Sequence, residues 1–438
     1  MKKILSSLMF GACLGAMSSA VLADPPVSQF YVEAQKIAPT GKLGEVVKKE
    51  KIKTTVKGAQ AWKIAYISSD YAGNKTIATG LVVAPVGPAP KEGRPIMGWA
   101  HGTTGTAQNC GPSQILDPVV PLNEFFLIGG NSWTDYGIPS VEEFIAQGYV
   151  IAATDYQGLG GGGRHQYSLA NTNGKDALNS VRAASSMKET GAGKKAALYG
   201  WSQGGGAVLA VTSMPEYVAQ KGTAADGIEL VGTIALAPYD NAAVVPKLPT
   251  TEAEAQKVMD GFIEMFTKTV FDFGHMSMAL WAMEPAFPEL KLNQLFTDDA
   301  IKAMNEIYSN KCMHTAAATL NYNFGDGYKN MLKAERTNTL GWVTGIVKAS
   351  NPPVKPVAPV VIYWGTGDVT NPPIMGKLYQ EQMCQLGASV DRVQLPGVQT
   401  HFTTPGVSGS FYRDWVKDRF ADKPATNNCA IAAQLPIK

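Results

Sequence analysis

The sequence predicts a doubly wound α/β fold: a mostly parallel sheet, helices on both faces, and one helical insertion before the last strands. Two observations lead there. First, short apolar runs, each closed by glycine or a polar turn, alternate with stretches of helical periodicity. Strands buried on both faces of a parallel sheet read this way. Second, the strand pattern stops between about residues 241 and 345, an interval far too long for a loop between two core strands.

Taken in order, residues 24–58 form a mixed N-terminal extension. Trp62–Ser68 and Thr76–Val83 flank the turn Tyr71-Ala-Gly-Asn74 and are expected to pair antiparallel. Core strands follow at Pro95–Ala100, Tyr149–Ala153, Lys195–Tyr199, Leu230–Leu236 and Val360–Trp364, with a last one at Asp391–Leu395. Helices are expected at Val141–Gln147, at Asp176–Met187 with apolar Ala177, Leu178, Val181 and Ala184, and at Gly205–Thr212. Within the insertion, Thr251–Phe273 and Met276–Met283 have helical patterns rich in Met, Phe and Trp. Most of these side chains are expected to form the insertion's own core, with one face covering a hydrophobic site. The core is thus divided into residues 59–240 and 346–438 around a helical cap at 241–345.

Composition sets the class. The chain has 438 residues, 45% hydrophobic and 17% charged, which suits a large globular protein. Lys2 and Lys3 precede an apolar stretch from Ile4 to Leu22, and Val21-Leu22-Ala23 fits a cleavage site. Residues 1–23 therefore read as a signal peptide, and the protein as exported, either secreted or periplasmic. A lipoprotein signal ending at Cys13 is the weaker reading, because its apolar region is short and Phe10-Gly11-Ala12 is a poor lead-in. No other stretch is long and apolar enough for a membrane anchor. Removing residues 1–23 takes two lysines away and leaves 36 basic against 36 acidic residues. That balance offers nothing to nucleic acid, and the lysine run 48–57, with Glu50 inside it, reads as a solvated surface. Four cysteines then remain: Cys110, Cys312, Cys384 and Cys429. An even number in an exported chain favours two disulfides, with three pairings open. No C-x-x-C or H-E-x-x-H pattern argues for a metal.

The chemistry centres on Gly200-Trp-Ser-Gln-Gly204. A short apolar strand runs into it and a small-residue helix follows, which is the setting of a nucleophile elbow on an α/β-hydrolase sheet. Such a turn exposes the Ser202 hydroxyl and aims a helix N-terminus at it. A serine hydroxyl needs a base. Among the five histidines, His401 follows the last predicted strand and completes the order Ser, acid, His. The acid should follow a late core strand, and Trp364-Gly-Thr-Gly-Asp368 presents Asp368 there. Asp240, in Ala237-Pro-Tyr-Asp240, competes by position, but a cap at the entry to the insertion suits it better. The oxyanion hole needs two N–H donors: Gln203, directly after the nucleophile, and Thr103, in the loop His101-Gly-Thr-Thr-Gly105. A second glycine cluster, Gly158-x-Gly160-x-x-Gly163, formally matches a dinucleotide fingerprint. Asp155-Tyr-Gln before it, Arg164-His-Gln-Tyr after it and the export signal point instead to close backbone packing.

Several motifs together resemble the secretory lipase family, which includes the fungal lipase A enzymes. They are Ala100-His-Gly-Thr-Thr-Gly105, Asn109-Cys-Gly-Pro-Ser113, Asp155-Tyr-Gln-Gly-Leu-Gly160, His165-Gln-Tyr167, Val181-Arg-Ala-Ala184, Gly200-Trp-Ser-Gln-Gly-Gly205, Gly365-Thr-Gly-Asp368 and Thr400-His401. The resemblance runs from about residue 95 to the C-terminus. It implies an α/β-hydrolase core with a helical cap, a Ser202–His401–Asp368 triad, and the disulfides Cys110–Cys312 and Cys384–Cys429. The chain departs from the family at Gln166, where proline is common, and in its extra glycines at 161–163. The fungal lipase A enzymes also use a different oxyanion loop. The reading is a serine carboxylester hydrolase, a lipase or esterase for apolar esters, with transient lipid-interface contact and neither cofactor nor metal. A serine peptidase or acyltransferase on the same fold is the first alternative, and a binding protein with an inert triad the second.

Overall fold

The computed structural model describes residues 28–115, 117–119, 124–126, 132–134, 136–245 and 247–434. The expected signal peptide, residues 1–23, and Cys13 lie outside the described residues.

The strands are β1 (Val46–Ile52), β2 (Ala59–Ser69), β3 (Lys75–Pro85), β4 (Arg94–Ala100), β5 (Glu124–Phe126), β6 (Ser132–Thr134), β7 (Val150–Gln157), β8 (Ala192–Trp201), β9 (Glu229–Leu236), β10 (Val360–Trp364) and β11 (Val390–Gln394). Nine of them form one sheet in the order β1-β2-β3-β7-β4-β8-β9-β10-β11, while β5 and β6 make a separate small hairpin. β2 and β3 pair antiparallel across the turn at Asp70–Asn74, where the Asn74 N–H donates to the Asp70 carboxylate at 2.8 Å. From β7 through β11 every neighbouring pair is parallel. All of β7 and β10 is buried, which is why these strands read as unbroken apolar runs rather than alternating ones.

The helices are α1 (Gln29–Ala34), α2 (Val141–Ala146), α3 (Ala170–Ser186), α4 (Gln203–Thr212), α5 (Pro215–Val218), α6 (Glu252–Phe266), α7 (Val270–Met283), α8 (Asp298–Asn310), α9 (Met313–Phe324), α10 (Thr339–Ala349), α11 (Ile374–Gln385) and α12 (Thr404–Phe420). α3, α4 and α11 pack on one face of the sheet, with Leu178, Val208 and Met383 against Ala196 and Leu198. α2 and α12 cover the other, with Phe144 and Tyr412 against Ala197 and Tyr199. Successive β8 residues thus feed opposite layers, as a doubly wound sheet requires.

α6–α10 fill the interval between β9 and β10 and share one apolar cluster that includes Met259, Phe273, Met278, Trp281 and Trp342. Tyr167 and Leu169 join that cluster from the sheet side. The helix expected at Thr251–Phe273 is two helices. α6 ends at Phe266, the Thr269 side chain accepts from the Asp272 N–H, and α7 continues through residues 274–275 without a break. A threonine cap starts a new helix more effectively than a glycine interrupts one. α3 begins at Ala170, six residues before the expected Asp176. Its first turns carry Asn171, Asn173 and Gly174, poor helix formers that packing holds in place. A Cβ on Gly174 would meet the Ala207 carbonyl at 2.4 Å.

Two disulfides staple the molecule. Cys110–Cys312 joins the segment after β4 to the start of α9 across 202 residues, and Cys384–Cys429 ties α11 to the C-terminal segment. Their Cα–Cα distances are 5.5 and 5.4 Å. The glycine cluster at 158–163 packs against backbone: a Cβ on Gly158 would meet the His165 nitrogen at 2.3 Å, and one on Gly161 the Ile77 carbonyl at 2.3 Å. Contacts this tight admit only glycine.

Candidate active site

Ser202 stands between β8 and α4 with φ +57° and ψ −116°. A non-glycine residue in this region is strained, and the fold must hold it there. Two glycines make that possible. A Cβ on Gly204 would lie 1.9 Å from the Ala100 carbonyl oxygen, and one on Gly200 would lie 2.3 Å from that of Gly204. The turn is therefore pressed onto the end of β4. The Ser202 N–H donates to the Leu236 carbonyl at the end of β9, 2.9 Å away, which anchors the turn from its other side.

The structure brings together three residues that are far apart in sequence. Ser202 Oγ lies 2.8 Å from His401 Nε2, and His401 Nδ1 lies 2.8 Å from Asp368 Oδ2. All three are buried. The carboxylate fixes the imidazole with its proton on Nδ1, so Nε2 is the acceptor facing the hydroxyl. The other carboxylate oxygen, Asp368 Oδ1, accepts from the N–H groups of Thr370 and Asn371 at 3.0 and 2.9 Å. The acid-bearing and histidine-bearing turns are linked directly by a 2.9 Å bond from Gly367 N–H to the Gln399 carbonyl. The Trp201 indole N–H donates to the His401 carbonyl at 3.0 Å, with the two rings 5.0 Å apart.

Asp240, the competing acid, is buried at the entry to the helical insertion. Its Oδ1 accepts from Ala242 and Ala243 N–H at 3.1 and 3.4 Å, and burial raises its pKa to about 6. It makes no hydrogen bond with His401 among the described residues.

Gln203 opens α4, and the first intrahelical bond of that helix runs from Gly206 N–H to the Ser202 carbonyl at 3.1 Å. The earlier N–H groups have no partner inside the helix and carry its positive end. The Gln203 side chain is locked away from the site, with its amide nitrogen 3.2 Å from His165 Nε2 and 3.1 Å from Asn173 Oδ1. His165 Nδ1 faces the Gln157 carbonyl at 2.7 Å. Burial lowers the His165 pKa to about 3, so the ring is neutral and Nε2 accepts from Gln203. Thr103 lines the cavity beside Ser202, and its Oγ1 lies 2.9 Å from the Tyr167 hydroxyl. His101 is buried with a pKa lowered to about 4 by desolvation, and it packs on Tyr156 at 4.5 Å between rings.

The cavity over Ser202 has a mixed lining. Thr103, Gln203, Asn371 and Tyr239 come from the sheet side, and Met259, Phe262, Met276, Leu280 and Met283 from α6 and α7. A smaller cleft on the His401 side is bounded by Trp201, Phe271, His275, Met313 and Phe402. Among the described residues no three His, Cys, Asp or Glu side chains are placed to hold a metal ion, and no helix is long and apolar enough to cross a membrane.

Several contributors escape a reading of the sequence. The Asn371 amide donates to the Ala237 carbonyl at 3.0 Å and sits 3.5 Å from Ser202 Oγ, bracing the acid turn against the elbow. The signal was the spacing Asp368-x-x-Asn371. The Asn173–Gln203–His165 brace had no local signal.

A family model described as secretory lipase matches residues 131–428. Lipase 9 of Candida albicans is 22% identical over 429 residues, covering 92% of this chain and 84% of that protein. The structure of Candida antarctica lipase A superposes with a TM-score of 0.66 at 16% identity, covering 93% of this chain and 89% of that one. The rice cell wall degrading esterase LipA of Xanthomonas oryzae gives 0.64 at 17% identity, covering 87% and 100%. The architecture is thus the α/β-hydrolase fold. The family match favours ester hydrolysis over the peptidase, acyltransferase and inert binding-protein readings, and it implies export and apolar ester substrates. A carboxylic ester hydrolase of lipase or esterase type, this chain belongs to the secretory lipase family.

Proposed function

We propose that Ser202 is the nucleophile, His401 the general base and acid, and Asp368 the group that orients the imidazole. His401 Nε2 takes the hydroxyl proton as Ser202 Oγ attacks the ester carbonyl, then delivers it to the departing alcohol. Asp368 stabilises the imidazolium formed between these steps. Water, activated by the same Nε2, releases the acid from the acyl-enzyme. The N–H groups of Gln203 and Thr103 receive the oxyanion, with the start of α4 adding its positive end. The hydrogen-bonded chain Ser202–His401–Asp368, with Ser202 at the floor of a cavity walled largely by apolar side chains, is the observation that carries this reading.

On this reading the sheet and its flanking helices are the catalytic core, and α6–α10, through Ala349, are a cap whose apolar face shapes the substrate cavity. The rim points to contact with lipid. Val369, Val398 and Phe402 are 87, 78 and 38% exposed, and they adjoin Asp368 and His401 on the loops that bear them. The enzyme acts outside the cytoplasm, in the periplasm or the medium, where two disulfides persist.

Ser202→Ala should lower hydrolysis of p-nitrophenyl butyrate by about a millionfold and abolish labelling by a fluorophosphonate, with the thermal midpoint preserved. Residual turnover near the wild-type rate would refute the assignment.

A further inference from the structure

We propose that His275, on α7, is a substrate-binding residue that accepts a hydrogen bond from a hydroxyl on the alcohol part of the ester. The proposal rests on the catalytic reading above. His275 lines both the large apolar cavity and the smaller cleft on the His401 side, so it stands where the two meet over Ser202. Its Nδ1 lies 2.9 Å from the Phe271 carbonyl, one turn earlier on the helix. A carbonyl oxygen only accepts, so Nδ1 carries the proton and Nε2 presents a lone pair. That Nε2 has no hydrogen-bond partner among the described residues. Burial, with His401 and His314 nearby, lowers its pKa to about 4, so it stays an acceptor at neutral pH.

His275 is only partly buried, so solvent can reach Nε2 in the free enzyme, and a substrate that covers it must bring a donor or leave the acceptor unpaired. No lining group is bonded to it among the described residues: Thr103 and Tyr167 bond each other, the Asn241 amide donates to the Tyr239 hydroxyl, and the Asn371 amide donates to the Ala237 carbonyl. Asp272, one turn before His275 and also in the cavity wall, is a second acceptor. The alcohol must lie on the His401 side, because His401 Nε2 protonates it as it leaves. An alcohol with a free hydroxyl next to the ester, as in a partial ester of glycerol, places a donor there. A plain alkyl ester does not.

The test compares kcat/KM for 1-butyryl glycerol and propyl butyrate, which share acyl chain and alcohol length. The ratio of the two is independent of how much of a preparation is folded. His275→Phe should lower that ratio roughly three- to tenfold, and His275→Gln, whose amide oxygen still accepts, should restore part of it. In the unmutated enzyme, 2,3-dimethoxypropyl butyrate, whose ether oxygens cannot donate, should lose the same factor against 1-butyryl glycerol. An unchanged ratio in His275→Phe, or equal rates for the hydroxyl and methoxy esters, overturns the proposal. Failure of the catalytic reading would show differently, as Ser202→Ala hydrolysing both esters.

Discussion

Ser202 sits at positive φ because its neighbours leave it no alternative. Gly204 lies too close to the Ala100 carbonyl to carry a side chain, and the Ser202 N–H is held by Leu236. The hydroxyl therefore meets His401 Nε2 at 2.8 Å without searching for it, and orientation of this kind lowers a barrier before any chemistry begins. On the proposed mechanism, Asp368 works through the imidazole. An asparagine there could turn its amide toward Nδ1 and leave the proton on Nε2, facing the nucleophile. Asp368→Asn should accordingly lower kcat by about 10³- to 10⁴-fold with little change in KM, read by steady-state hydrolysis of a soluble ester. A KM effect without a kcat effect would contradict this role. The three residues themselves were legible in the sequence, because strand, turn and chain order each leave a local mark. Their braces were not: Trp201 to His401, Asn371 to Ala237 and Gln203 to His165 join positions that only the fold brings together.

At the scale of elements, α3 is where polarity is buried to hold the sheet. Asp176 lies within it, accepting from the Gln157 N–H at 3.0 Å and bonded to the Ser68 hydroxyl. Burial raises its pKa from 3.8 to about 7. The native state then holds a proton that the unfolded chain releases above about pH 4. Its contribution to stability is full below that pH and lost as pH rises through about 7. Asparagine keeps one acceptor and one donor in the same place and has no charge to bury. Asp176→Asn should therefore raise the thermal midpoint relative to wild type more at pH 8 than at pH 4, and melts at both values measure it. An equal difference at the two pH values would count against the linkage. The strands were readable because burial on both faces leaves an unbroken apolar run. The starts of α3 and α7 were misplaced because packing at Gly174 and a cap at Thr269 outweigh local propensity.

At the scale of the molecule, the helical segment α6–α10 roofs the site and is fastened to the sheet by Cys110–Cys312. Closing so long a loop restricts the unfolded chain, and the double change Cys110→Ser with Cys312→Ser should cost about 2–5 kcal/mol, measured by denaturant titration; no loss would show that packing alone holds the roof. Val369 and Val398 are the exposed residues on which the proposed contact with lipid rests. Val369→Ser with Val398→Ser should lower the ratio of emulsified-tributyrin to dissolved-ester hydrolysis by about tenfold, while an unchanged ratio would remove these residues from lipid contact. By itself, the sequence determined the sheet, the elbow, the order of the acid and the histidine, and the presence of a helical insertion. Each of these is written in residues adjacent along the chain, as periodicity, glycine placement or spacing. Only the tertiary structure decided which face of the insertion covers Ser202, which buried polar groups brace Gln203 and Asp368, and that His275 meets the cavity with an open acceptor. Those depend on contacts between segments up to some 200 residues apart, such as Ser202 with His401, and local pattern carries no record of them.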